Sequence, residues 1–295
     1  MKISAIIITR NEEENIEKCI ESLSFVDEVI VVDNDSKDDT TKIAQKLGAK
    51  IYQVPGLDFS YLRNVGKEKA KGEWLLYIDA DERVQEELAK ELMERINNNP
   101  QDFSHFKLSR QNYYFHKLWP KREQMIRLMK KEALVGWQGS LHESPLVCGK
   151  LGKLVSPLLH YTHNDLSSMV NKTNQWSDIE ATLRYKSNHP KLSWWRFFRI
   201  MMWAFWRSYI SERGWQVGTA GLIESIYQAF SIFITYAKLW ELQNKGELQN
   251  NICILDSPQR AAILNNCKHY LGASPKHSIK SEDNMFTLND RRERM

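Results

Sequence analysis

The sequence is short of cysteine: its four, Cys19, Cys148, Cys253 and Cys267, are far apart and form no CxxC pair. That argues against a disulfide framework or a zinc site and fits a reducing compartment. No GxGxxG follows the first apolar run, which disfavours a dinucleotide-binding oxidoreductase, and the lack of GxxxxGK[ST] disfavours P-loop phosphoryl transfer. The apolar run near the N-terminus, Ile3 to Ile8, is too short for a signal peptide and has no small-residue cleavage site. A net charge of +4 is too mild to argue for nucleic acid, and no internal repeat is present. What remains is an ordinary folding composition, 42% hydrophobic and 26% charged. The 295 residues suffice for one large domain, or one domain with an appended module.

The first hundred residues alternate. Residues 3–8, 29–32, 50–54 and 74–78 are apolar runs that predict buried strands, and 12–24, 38–47, 60–70 and 85–96 predict helices. Strand–helix alternation implies a mostly parallel sheet covered by helices, whose ligands lie beyond the carboxyl ends of the strands. Polar clusters fall at three of those ends: Thr9-Arg10-Asn11-Glu12, Asp33-Asn34-Asp35-Ser36 and Asp79-Ala80-Asp81. Residues 103–157 read as short strands and loops, and about 165–245 as helical and aromatic. From about 247 the chain is polar, with one helix expected over 256–272 and a poorly ordered tail beyond 273.

Asp79 and Asp81, two apart after a buried strand, are a pattern that can hold Mg²⁺ or Mn²⁺ while leaving positions open for phosphate oxygens. A departing nucleoside diphosphate needs such a cation. The same carboxylates also suit a solvated helix start. Asp33 can accept from a nucleobase or ribose, or can simply cap a turn.

Ile6 to Glu12, Val31 to Thr40, Arg63-Asn64-Val65-Gly66 and Leu76 to Glu82 resemble, in order and spacing, the successive signatures of family 2 glycosyltransferases. The resemblance implies an α/β GT-A-like nucleotide-binding sheet flanked by helices, a nucleotide-sugar donor and inversion at the anomeric centre. It implies that Thr9, Arg10, Glu12 and Asp33 line the nucleoside pocket, that Arg63 faces the donor diphosphate, that Asp79 sits near ribose and metal, and that Asp81 ligates the metal. Asn34-Asp35 departs from the family's usual Asp-Gly and puts the turn geometry there in doubt.

Arg127-Leu128, Trp137 to Glu143, His160 to His163 and Arg213-Gly214 resemble the subgroup of lipopolysaccharide inner-core β-1,4-glucosyltransferases. UDP-glucose as donor and a core heptose on a lipid-anchored saccharide as acceptor follow from that resemblance. A polyprenyl-phosphate acceptor, a non-catalytic nucleotide-binding module of the same fold and a membrane-surface scaffold are the rivals. Glu143 is the candidate general base, or a surface glutamate after a loop. His142 or His160 is a candidate to complete the metal shell, or a structural hydrogen bonder. Lys117, Lys121, Arg122 and Arg127 are candidates to meet anionic acceptor groups, or form a solvated basic loop.

Between Arg184 and Arg213 basic residues dominate, with Glu212 the single acid. On a helix over 194–210, Arg196, Arg199 and Arg207 fall within roughly 80° of one another, with aromatics over much of the rest. That suits a helix lying on anionic lipid, or one packing its apolar face on the catalytic domain. Thr219 to Trp240 is long enough to cross a membrane, but Glu224, Gln228 and Lys238 interrupt it, so a packed or surface-lying helix is expected. The expected organisation is a catalytic domain over 1–165, a helical membrane-facing part over 166–246 and a polar tail over 247–295. The expected location is cytoplasmic, peripheral on the inner face of the cytoplasmic membrane.

Overall fold

The computed structural model describes residues 2–56, 58–98, 102–139, 143–163 and 165–248, the last four by backbone alone. The helix expected over 256–272 and the tail after it lie outside the described residues. The described residues divide into two compact units, one made of those up to 175 with 205–228, the other of 176–204 with those from 229 onward.

The first unit begins with the expected alternation: β1 (Ile3–Thr9), α1 (Ile16–Glu21), β2 (Glu28–Asp33), α2 (Thr40–Lys46), β3 (Lys50–Gln53), α3 (Phe59–Lys69), β4 (Trp74–Asp79), β5 (Glu82–Val84) and α4 (Glu86–Asn97). Then come β6 (Phe103–Tyr114), β7 (Lys117–Leu118), β8 (Glu123–Lys130), β9 (Leu134–Gln138), β10 (Ser144–Val147) and β11 (Lys150–Thr162). One sheet runs in the order β3-β2-β1-β4-β8-β6-β11-β5, with β7 against β6, while β9 and β10 form a separate pair. The first four strands are parallel, β8 is antiparallel to β4 and to β6, and β11 is parallel to β6. The α/β class expected from the sequence is therefore present.

Two expectations change. α1 is shorter than the 12–24 span, because Asn11 takes φ +54° and residues from Glu12 first make a turn on its carbonyl. The region expected over 103–157 to hold short strands has instead a strand of 12 residues and one of 13 that runs on to Thr162. β6 buries Ser104, His105, Ser109, Gln111 and Asn112, and such buried polar groups mask the alternation by which a strand is recognised.

β1 shows why the centre is stable. Ile3, Ala5 and Ile7 face a core with α1 and α4, while Ile6 and Ile8 face a second core with Leu62, Leu134 and Trp137. Both faces are covered, as a parallel strand requires. α3 lies close to the sheet because Gly66 has no side chain: a Cβ there would stand 2.4 Å from Ile6 Cγ2.

Three helices follow: α5 (Leu166–Lys186), α6 (Trp194–Trp206) and α7 (Thr219–Leu248), with a wide turn at Arg207–Ser211 and a 3₁₀ turn at Gly214–Val217. No helix among the described residues is long and apolar enough to cross a membrane. In the first unit, Glu224 of α7 is buried against His163 Nδ1 at 3.0 Å, and Tyr227 Oη donates to the Met169 carbonyl. In the second unit, Arg184 donates to Tyr236 Oη at 2.9 Å and lies over its ring, Lys238 pairs with Asp178, and Ala181 and Leu239 are buried.

Candidate active site

The parallel strands end in register. Thr9 lies opposite Asp33 on one side of β1, and Ile8 lies opposite Asp79 on the other. The order β3-β2-β1-β4 reverses direction at β1, which is where an open α/β sheet leaves its ligand crevice. Side chains stitch the loops that follow β1 and β2. Asn11 N donates to Ser36 Oγ at 2.9 Å, Lys37 N to Asn11 Oδ1 at 2.7 Å, Glu12 N to Thr40 Oγ1 at 2.8 Å and Glu13 N to Asp38 Oδ2 at 3.1 Å. Asp33 is fully buried and accepts from Ser36 through both Oγ and N. Asn34 Oδ1 takes Gly56 N, and Asp35 adopts φ +60°. Asp35 thus holds the left-handed conformation that glycine takes most easily, so Asn34-Asp35 keeps a turn of that kind.

Asp79 is surrounded by guanidinium groups. Arg127 reaches it with Nη2 at 2.5 Å and Nη1 at 3.2 Å, Arg63 with Nη2 at 3.0 Å, and Arg110 stands 3.9 Å away. Burial pushes its carboxyl upward, but Arg127 and then Arg63 outweigh burial and hold it far below the usual carboxylate range. Glu82 accepts from Asp79 N at 2.9 Å and meets Arg110 and Arg127 at 3.3 and 3.4 Å; burial raises its carboxyl. Arg63 is 3% exposed, sits under Trp137 at 4.7 Å, and also holds Glu143 Oε1 through Nε and Nη2. Its Nη1 is buried and has no hydrogen-bond partner among the described residues, and the same is true of Thr9 Oγ1 at the end of β1.

Asp81 is set differently. Its carbonyl accepts from Tyr161 N, and its Oδ2 lies 3.2 Å from His160 Nε2. Burial raises the Asp81 carboxyl, yet the His160 ring outweighs it and keeps the carboxyl low; Asp81 in turn outweighs burial and raises the imidazole. Glu12 is pushed up by burial and then by Asp81. Beside these groups lies a cleft of about 220 Å³, lined among others by Glu12, Asp38, Asp81, Tyr161 and Lys172.

Residues 4–147 match the family model described as glycosyl transferase family 2. An uncharacterized glycosyltransferase of Rickettsia typhi is 32% identical over 83% of this chain and 89% of its own length. The chain belongs to glycosyltransferase family 2. The transferase is also similar to the lipopolysaccharide core biosynthesis glycosyltransferase LpsC of Rhizobium meliloti, 25% identical over 82% of this chain and 93% of that protein. Among solved structures, a Staphylococcus aureus TarS fragment in complex with UDP-GlcNAc matches with a TM-score of 0.44 and 14% identity, over 83% of this chain and 92% of that one.

In the transferase, Thr9, Glu12, Asp33, Arg63, Asp79, Asp81, Glu143 and His160 collect around the carboxyl ends of β1, β2 and β4. Arg10 is exposed, and His142 lies outside the described residues. Arg127 requires a correction. Expected to meet the acceptor, it is 5% exposed and spends its guanidinium on Asp79 and Glu82. Arg207 also departs from expectation: it lies in the wide turn after α6 and pairs with Glu212 at 3.1 Å. Glu143 is no surface residue, since its side chain is 14% exposed and anchored on Arg63. Sequence reasoning missed Arg110, Asn112 and Glu123. Nothing near them in the sequence marks them; only the pairing of β6 with β8 and β11 brings them to His160 and Glu82.

Proposed function

We propose that the transferase moves a hexose, glucose from UDP-glucose, onto a saccharide acceptor, a heptose of the lipopolysaccharide inner core, with inversion. The observation that carries the donor half is a buried guanidinium with an unspent arm. Among the described residues Arg63 Nη1 has no partner at the carboxyl edge of the parallel strands, where a diphosphate would satisfy it. The similarity to LpsC and the subgroup motifs support the acceptor half.

Thr9, Arg10, Glu12 and Asp33 would receive the nucleoside, and Asp79 would keep Arg63 and Arg127 in place for it. Both Arg63 contacts to Glu143 go to Oε1, and Oε2 has no partner among the described residues. Glu143 is thus oriented by one oxygen and can take the acceptor hydroxyl proton with the other as that hydroxyl attacks the anomeric carbon.

The residues present fit a divalent cation in part. Asp81 offers a carboxylate, the donor type that Mg²⁺ and Mn²⁺ favour, with the His160 imidazole beside it as a softer second donor, if solvent and diphosphate oxygens fill the rest. Among the described residues no three such side chains cluster. The Asp79 oxygens are already held by arginines, so Asp79 would contribute only by releasing one of them, and His142 stays a candidate on sequence alone. When bound, the cation supplies positive charge to the departing diphosphate.

The enzyme test is UDP release from a panel of UDP-sugars, with and without Mg²⁺ or Mn²⁺, using heptose-containing core saccharide as acceptor and Asp81→Ala beside wild type. Metal-dependent release from UDP-glucose, stimulated by the acceptor and lost in Asp81→Ala, is expected. Near-normal turnover of that variant would remove the metal role.

The acceptor being lipid-anchored, we further place the protein peripherally on the inner face of the cytoplasmic membrane. On α6 of the second unit, Trp194, Phe198 and Met202 recur every fourth residue and are 76%, 65% and 65% exposed. Arg196 and Arg199 are half-buried on the same helix, with Arg199 over Trp195 at 5.3 Å. An exposed aromatic stripe beside basic residues is the composition of an interfacial helix. Replacing Trp194, Phe198 and Met202 by Ser should release the protein from anionic vesicles; unchanged co-sedimentation would refute the membrane role of this stripe.

A further inference from the structure

We propose that Asn112 is a positioning residue for the metal site, holding the His160 ring proton on Nδ1 so that Nε2 presents its lone pair beside Asp81. The proposal rests on the assignment of Asp81 and His160 to the cation.

The geometry fixes the sense of each hydrogen bond. Asn112 is 2% exposed, on β6, directly opposite His160 in the parallel pairing with β11. Its Nδ2 lies 3.1 Å from Glu123 Oε1 and 3.2 Å from Tyr114 Oη, and its Oδ1 lies 2.9 Å from His160 Nδ1. An ionised Glu123 can only accept, so the amide nitrogen must face it and the amide oxygen must face the imidazole. That oxygen also only accepts, so Nδ1 must carry the ring proton. Glu123 is in turn fixed by Arg110, whose Nη2 stands 2.5 Å and Nε 3.2 Å away. Burial raises the Glu123 carboxyl, but Arg110 outweighs it and keeps it ionised.

A chain Arg110–Glu123–Asn112–His160 therefore ends on Nε2, 3.2 Å from Asp81 Oδ2. With the Nδ1 proton held by Asn112, the proton that His160 gives up to a cation is the one on Nε2, and the lone pair left there stands 3.2 Å from Asp81 Oδ2, so that both groups can face one cation. Partners behind a ligating histidine set its tautomer and orientation and typically alter metal affinity by about 10–100-fold. Asn112 occupies that position on a strand rather than on a loop.

The test is Mn²⁺ binding to the full chain, followed by electron paramagnetic resonance, with thermal melting as a check on folding. His160→Gln should weaken binding, and Asn112→Leu should weaken it by about 10–100-fold. The exchange Asn112→Asp with Glu123→Gln keeps an acceptor facing Nδ1 and a donor behind it, and should restore affinity to within a few-fold of wild type. Unchanged affinity in His160→Gln would overturn the metal assignment and the role of Asn112 with it. Weak binding in His160→Gln but wild-type binding in Asn112→Leu, or no recovery in the exchanged pair, would overturn the role of Asn112 alone. In the Mg²⁺-loaded protein, long-range ¹⁵N spectra should find the remaining ring proton on Nδ1; a proton on Nε2 would overturn the proposal as well.

Discussion

The two halves of the sheet carry their polar groups in opposite ways. In β3, β2, β1 and β4 the interior strands are apolar almost to their last residue, and polar groups gather in the loops beyond, tied by side chain-to-backbone hydrogen bonds. In β8, β6, β11 and β5 the strands themselves carry the charge: Arg127 and Glu82 are buried and Arg110 and His160 half-buried, all in one network. Loop polarity of the first kind can be altered one contact at a time. Charge inside a sheet holds only while each member keeps its partner.

The largest effect expected from that contrast is at Arg127. Replacing it by Leu leaves Asp79 and Glu82 in a buried site with one fewer cation and should cost about 3–5 kcal/mol, read from urea unfolding. A loss below about 1 kcal/mol would mean that Arg63 and Arg110 suffice, and the contrast would be weaker than drawn.

An intermediate effect belongs to the parallel half. Glu28 accepts from Lys50 Nζ, Ser4 Oγ and Lys71 N. Burial raises its carboxyl, but the bonds from Lys50 and Ser4 outweigh that and lower it from the ordinary 4.5 to about 2. A carboxyl lowered on folding stabilises fully above its unfolded value and loses that contribution as pH falls through the folded one. Wild type should therefore lose stability between about pH 4.5 and 2, and Glu28→Gln should flatten that part of the curve. Identical pH profiles for the two proteins would sink the assignment.

The smallest effect is at Asp35. With φ at +60°, Asp35→Gly should gain about 0.5 kcal/mol, against the loss of an exposed pair with Lys37. Measured destabilisation would show that the aspartate does more in the turn than tolerate it.

The same contrast explains what could be read in advance. β1, β2 and β4 were legible because their residues are apolar and β-branched and end in Thr9, Asp33 and Asp79. β6 and β11 were not, because Asn112, Gln111 and His160 sit where an apolar residue would have marked the strand. Arg63 was expected to face the donor through its motif. Its clamp on Glu143 was not, since 80 residues separate the two in the chain. Arg127 was misplaced because a basic residue in a basic stretch reads as exposed until its buried acidic partners are known.

The sheet's outer strands have a further consequence. It ends on β3, of four residues, and on β5, of three, while its longest members, β6 and β11, lie inside. Short margins present few unpaired backbone groups to another chain, so a broad mixed sheet of this kind gives a second molecule little on which to add a strand. In the folded protein the long polar strands β6 and β11 are thus kept away from the margins where another chain could pair.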